Sequence, residues 1–124
     1  MELKRLIDPQ FQTALRKLAS QDLPLKSAFL LKGIIKQVTD ELNKYDEVRN
    51  EALKKYGTKN EDGTLQTENG SVQFTPDNLK EFSVEMENLI GCEVMVGTIS
   101  INDLGDKATL TTSDLLQLDG VVRE

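Results

Sequence analysis

Residues 24–57 read PLKSAFLLKGIIKQVTDELNKYDEVRNEALKKYG, and the fold turns on this stretch. After Pro24 no proline appears until Pro76, and Gly33 is the only glycine before Gly57. Leu31, Ile35, Val38, Leu42, Tyr45, Ala52 and Tyr56 recur at alternating steps of four and three, with Arg49 in the one missing slot. That spacing is a heptad seam on one helical face, widened by Ile34 and Val48. Lysines in the last turn and Gly57 just beyond Tyr56 are helix stop signals. A helix of about 33 residues is about 50 Å long. It is too long for a small globule unless it kinks or protrudes, and Gly33 is the cheapest place for a kink.

Outward from this helix, Asp8-Pro9 predicts an earlier start. Asp accepts hydrogen bonds from free first-turn amides, and Pro is pre-set for the first helical position. Phe11, Ala14, Leu15 and Leu18 then share one face, and Ser20 to Pro24 breaks the run. The result is an N-terminal helical hairpin whose short arm covers only about a third of the long seam. The remainder needs the C-terminal elements or a second copy of the chain. Self-association through Leu31, Ile35, Val38, Leu42, Tyr45, Ala52 and Tyr56 is the expectation, the alternative being a core within one monomer.

Beyond Gly57 the period changes. Asn60-Glu61-Asp62-Gly63 reads as a turn, and Thr64–Glu68 and Ser71–Thr75 alternate around Asn69-Gly70. Asn-Gly between alternating runs predicts a β-hairpin, because a type I′ turn needs positive φ at both central residues. Thr75-Pro76-Asp77 starts a further helix with Leu79, Phe82, Met86, Leu89 and Ile90 as its stripe and Gly91 as its stop. Glu93 to Ile101 reads as a central strand, Lys107 to Thr111 as a short one, and Thr112-Ser113-Asp114 as the cap of a last short helix. The class is α+β, a single domain over 1–124, helical over 1–57 and mixed over 58–124.

Length and composition narrow the function. One domain is the prior for 124 residues. The chain has no His and one Cys, so neither His catalysis, a thiolate or His zinc site, nor a disulfide framework can be built. No apolar run is long enough to span a membrane, and residues 1–20 lack the apolar core of a signal peptide. A cytoplasmic setting, in a bacterial host cell or else in a virion, is the expectation. The charge of −6 is uneven: residues 1–62 carry 12 basic and 10 acidic side chains, residues 63–124 only 3 basic against 11 acidic. The acidic half argues against duplex nucleic acid and suits solubility or a basic partner. Lys4, Arg5, Arg16, Lys17, Lys26, Lys32 and Lys36 cluster in the first helices, but acids interleave from Asp40 onward.

No catalytic set emerges. Cys92 follows a helix C-terminus and precedes Glu93, which disfavours a thiolate, and it reads as a small buried residue. Asp40-Glu41, Asp46-Glu47 and Glu85/Glu87 point to different helical faces. Asp103, Asp106 and Asp114 lack the spacing of a calcium loop, and Asp62-Gly63 has no ligand series around it. Phosphate-loop, dinucleotide and nucleophile-elbow motifs are absent. The expectation is a protein without enzymatic activity, cofactor or metal. For an anionic small ligand such as a nucleotide, Arg49, Lys54, Lys55 and Lys59 are the candidate contacts, with Tyr45 or Tyr56 to stack a base.

The order of parts, and above all Tyr45 to Phe74 with Lys55-Tyr56-Gly57 followed by Asn60-Glu61-Asp62-Gly63, resembles a group of short proteins encoded by bacteriophages and prophages. The resemblance implies either a virion or assembly component or an accessory protein that binds a host factor, including inhibitors of host defence. It assigns no functional residue. Two helices flanking a hairpin also resemble prefoldin-type chaperone subunits, although only one helix of about 14 residues after Phe74 is there to pair with the long one.

Overall fold

The computed structural model describes residues 1–124. In chain order the elements are α1 (Leu3–Leu6), α2 (Pro9–Ala19), α3 (Leu25–Tyr56), β1 (Thr67–Glu68), β2 (Ser71–Val72), α4 (Pro76–Ile90), β3 (Ile99–Ser100), a 3-10 turn (Ile101–Leu104), α5 (Thr112–Gln117) and β4 (Val122–Arg123). The class is α+β, with one long helix and two small sheets. Residues Met1–Leu42 and Glu93–Glu124 form one compact unit, and Asn43–Cys92 form the other. The change of composition at 57/58 therefore does not coincide with these divisions, because α3 contributes to both units.

The first unit holds nearly all the fully buried apolar side chains. Asp8 Oδ1 accepts from the Gln10 amide at 2.9 Å, which caps α2 with Pro9 at its first position. Phe11, Ala14, Leu15 and Leu18 then face inward. Pro24 supplies the carbonyl that receives the first α3 bond, from Ala28 at 2.9 Å. The buried face of α3 in this unit is Ser27, Leu31, Ile34 and Val38, again at steps of four, three and four. Leu3, Leu6, Ile99, Leu104, Leu118 and Val121 complete the core. Helical structure runs unbroken through Gly33.

Segment 93–124 departs from its sequence reading. The expected strand from Glu93 to Ile101 is reduced to Ile99–Ser100, paired in parallel with Val122–Arg123. The neighbouring amides have other partners: Val94 donates to the Met1 carbonyl at 2.8 Å, and Gly97 to Gln37 Oε1 at 2.7 Å. Lys107–Thr111 forms no strand, and Thr109 donates its amide to Gln21 Oε1 instead. The cap of α5 is Thr111, one residue before the expected segment. Thr111 Oγ1 accepts from the Asp114 amide, and Asp114 accepts from the Thr111 amide, a reciprocal capping box. Two elements had no sequence expectation, α1 and β4.

The second unit is built on the last turns of α3. Asn69 at φ 52° and Gly70 at φ 80° turn the hairpin, as the type I′ argument requires. Thr67 faces Val72 and Glu68 faces Ser71. The residues after α3 extend this pairing: Thr58 donates to Gln73 at 2.8 Å and Gln66 to Thr58 at 2.8 Å. Gly57 lies where the chain leaves α3, and a side chain there would meet the Leu53 carbonyl, Leu65 and Val72. Thr75 Oγ1 caps α4 by accepting from Asn78, with Pro76 first in the helix and Gly91 beyond its end. Phe82 of α4 stacks on Phe74 at 4.9 Å between centroids and meets Tyr56 edge-on at 6.5 Å. Of this unit's large apolar side chains only Tyr56 is buried, and the others are half-buried or exposed.

Candidate protein-binding surfaces

The seam residues divide by their surroundings. Leu31 and Val38 are buried in the first unit, and Tyr56 is buried in the second. Ile35, Leu42, Tyr45 and Ala52 stay half-buried. In the first unit, Ile35, Val38 and Leu42 line an apolar groove of about 260 Å³ with Leu15 and Ala19 of α2. In the second unit, Val48, Ala52 and Tyr56 line a groove of about 320 Å³ with Met86 and Leu89 of α4, rimmed by Glu51, Lys55 and Glu85. Part of the seam is thus the chain's own core, and its remainder borders two open grooves.

A second stripe escaped the heptad reading. Leu25, Phe29, Lys32 and Lys36 follow one another at four, three and four residues. At about 100° per residue they lie on the opposite side of α3 from Ser27, Leu31, Ile34 and Val38. Leu25 is 89% exposed and Phe29 77%. Large apolar side chains this open on a helix whose other face is well packed are informative, whereas scattered ones are not. The spacing was present in the sequence. Residues 28–31 and 34–35 are apolar all round the helix, however, so periodicity alone does not say which stripe is the core.

The basic residues of the first helices separate in the same way. Lys17 pairs with Asp114 at 2.5 Å, and Arg5 reaches Asp119 at 3.9 Å and donates to the Gln117 carbonyl. Lys26, Lys32 and Lys36 enter no ion pair. Between Leu23 and Thr39 the chain has these three lysines and no acid. On α4 the charge is opposite. Asp77, Glu81 and Glu85, with Lys80, Val84 and Tyr56, line a shallow groove of about 660 Å³ in the second unit. Val84 is exposed there.

Arg49, Lys54, Lys55 and Lys59 are all exposed and are not brought together. Lys54 lies about 140° round α3 from Arg49, Lys55 about 100° further, and Lys59 is beyond the helix. Lys55 Nζ instead sits 5.0 Å from the Tyr56 ring centroid, a cation–π contact. Tyr45 is half-buried on α3. Cys92 is exposed, which corrects its reading as a buried residue. The chain turns out of α4 at Gly91, and the thiol stays at the surface, where Sγ donates to the Asn88 carbonyl at 3.6 Å. Two carboxyls are held below their ordinary range. Asp114 is lowered first by its hydrogen bond from Lys17 and then by the Thr111 amide. Asp62 is lowered by the Thr64 hydroxyl and amide within the Asn60–Thr64 turn. Both shifts stem from structural hydrogen bonds. No helix is long and apolar enough to cross a membrane, and no cluster of three or more His, Cys, Asp or Glu is placed to hold a metal ion.

Comparison of the chain with family models, with curated proteins and with solved structures finds no match.

Proposed function

We propose that the chain is a non-catalytic protein-binding accessory protein of the bacteriophage type, acting on a host or defence factor and associating with copies of itself through the long helix. The observation that carries this reading is that α3 keeps large apolar side chains in solvent on faces its own core does not use, Leu25 and Phe29 foremost. Burying them against a partner recovers about 25 cal/mol per Å² of apolar surface removed from water, before the cost of association. Aromatic side chains such as Phe29 are the usual anchors of interfaces.

Sedimentation velocity of the full chain over a wide concentration range tests self-association. The expected result is a mass above 13.9 kDa that rises with concentration. A strict monomer up to about millimolar, where even weak contacts of about 4 kcal/mol register, refutes it. A virion structural or assembly role is the second reading, favoured by the exposed hairpin tip at Glu68–Ser71, which suits insertion between neighbouring subunits. Its presence in purified particles decides for that role. Small-ligand sequestration is less well supported, since its candidate cations diverge around α3.

A further inference from the structure

Resting on the reading of the chain as a self-associating protein, we infer that copies join head to tail, the outer stripe of α3 on one copy docking on the acidic outer face of α4 on the next. The donor surface is Leu25 and Phe29 followed one and two turns on by Lys32 and Lys36, a knob of apolar side chains with unpaired cations beside it. The acceptor surface is the α4 groove, where Asp77, Glu81 and Val84 fall at i, i+4 and i+7 on one helical face, with Glu85 beside them. Its floor reaches Tyr56, and Lys80 is the one cation in its lining, against three carboxylates. Apolar meets apolar at the centre, and lysines meet carboxylates at the rim.

The charges select the occupant. The α3 stripe calls for an acidic, partly apolar surface, and the chain itself carries one whose acids make no ion pair within the chain. What selects a second copy is local complementarity, Lys32 and Lys36 against Asp77, Glu81 and Glu85, with apolar side chains on both surfaces, which neither a phosphate backbone nor a lipid headgroup layer offers. The two surfaces differ, so each contact joins unlike faces. Each copy offers one donor and one acceptor, so the contacts either close reciprocally in a pair or repeat into a ring or filament.

Two surface variants test this, each checked for unchanged helical circular dichroism. Leu25→Glu with Phe29→Glu removes the knob and keeps the groove; both residues are exposed, so the fold is retained. Glu81→Lys with Glu85→Lys inverts the groove and keeps the knob. The wild type is expected to sediment above monomer mass, increasingly so with concentration and less so with salt. Each variant alone is expected to associate at least about tenfold more weakly, the scale of losing one central anchor. Mixed together, the intact knob of one variant meets the intact groove of the other, and growth stops at a one-to-one pair. Lys32→Glu with Lys36→Glu, a charge-only change, should fail to pair with the wild-type groove and regain binding to the inverted one.

If wild type and both variants assemble alike, the self-association reading stands and the head-to-tail contact is overturned. A mixture of variants that stays monomeric overturns it too, since an intact knob then fails to bind an intact groove. A wild type that is monomeric throughout removes both proposals. A wild type that binds phosphatidylglycerol vesicles through Leu25 and Phe29, with its self-association untouched by their loss, assigns the stripe to lipid and overturns the proposal.

Discussion

The same substitution, glycine to alanine, is expected to have opposite signs at Gly33 within the long helix and at Gly57 just beyond its end. At Gly33 a Cβ meets nothing within 4 Å. Alanine there gains the helix propensity that glycine lacks, about 0.8–1 kcal/mol. At Gly57 a Cβ would lie 2.6 Å from the Leu53 carbonyl oxygen, and 2.8 Å from both Leu65 Cδ2 and Val72 Cγ1. Ordinary contact between such atoms is about 3.5–4.0 Å. The Leu53 carbonyl is backbone and already accepts the Gly57 amide at 2.8 Å, so it cannot simply turn aside. Leu65 and Val72 are the side chains with which the β-segments pack at the end of α3. Three overlaps at once put the cost at the upper end of the overpacking range, about 2–3 kcal/mol. In a domain of this size each kcal/mol moves the melting temperature by about 4 °C. Gly33→Ala should therefore melt about 4 °C higher than wild type, and Gly57→Ala about 8–12 °C lower. Hydrogen exchange adds a local reading: in Gly57→Ala the Thr58, Gln66 and Gln73 amides should exchange faster, while the Ile99 amide should not. A Gly57→Ala protein as stable as wild type refutes the close approach of the β-segments to the helix end, and a destabilised Gly33→Ala refutes the open surroundings of Gly33.

Three further outcomes follow from side-chain environment. Phe11→Ala should cost about 3–5 kcal/mol in denaturant unfolding, as for a fully buried aromatic, whereas Phe29→Ala should stay within about 0.5 kcal/mol of wild type. Equal losses would show that Phe29 serves the core. Asp114 has a lowered folded-state pKa, so its stabilisation is fully present above the ordinary carboxylate range and is lost as pH falls through the folded value. Asp114→Asn should be less stable than wild type at pH 7, with the gap narrowing as acid takes the solution below the ordinary carboxylate range. A gap independent of pH would rule out the Lys17 pair as its source. Cys92 should be labelled stoichiometrically by a thiol reagent without denaturant, and labelling only on unfolding would contradict its exposure.

What could be read from the sequence was whatever is local. The Asp8, Thr75 and Asn69-Gly70 signals each work within four residues, and each marks an element boundary in the structure. The long helix was legible because 32 residues of helical spacing leave no other solution. What could not be read was long-range. Nothing near Ile99 announces that Val122 lies beside it in parallel, and nothing at Val94 announces the Met1 carbonyl. Apolar residues on both faces made 93–101 look like a central strand, but a strand needs a neighbour, and β4 supplies only two residues of one. The Leu25–Phe29 stripe was hidden for a different reason. The first turns of α3 are apolar on every side, so choosing a core face required knowing which elements pack against it.

The division of charge gains a physical meaning once the partners are known. The second half of the sequence is acidic throughout, yet its acids do different work. In the first unit Asp114 and Asp119 answer Lys17 and Arg5, and Glu93 pairs with the Met1 amine. Those pairs tie the two ends of the chain into one unit. The α4 acids have no such partners, and they stand on the unit with the thinner core. A unit held by one aromatic cluster, a short hairpin and two helix segments opens more readily than its neighbour. Ligation of its α4 face stabilises it by mass action. Association and local stability are then one equilibrium in the second unit. Protection of the Gln66 and Gln73 amides should rise with protein concentration in the wild type and stay flat in the Glu81→Lys, Glu85→Lys variant.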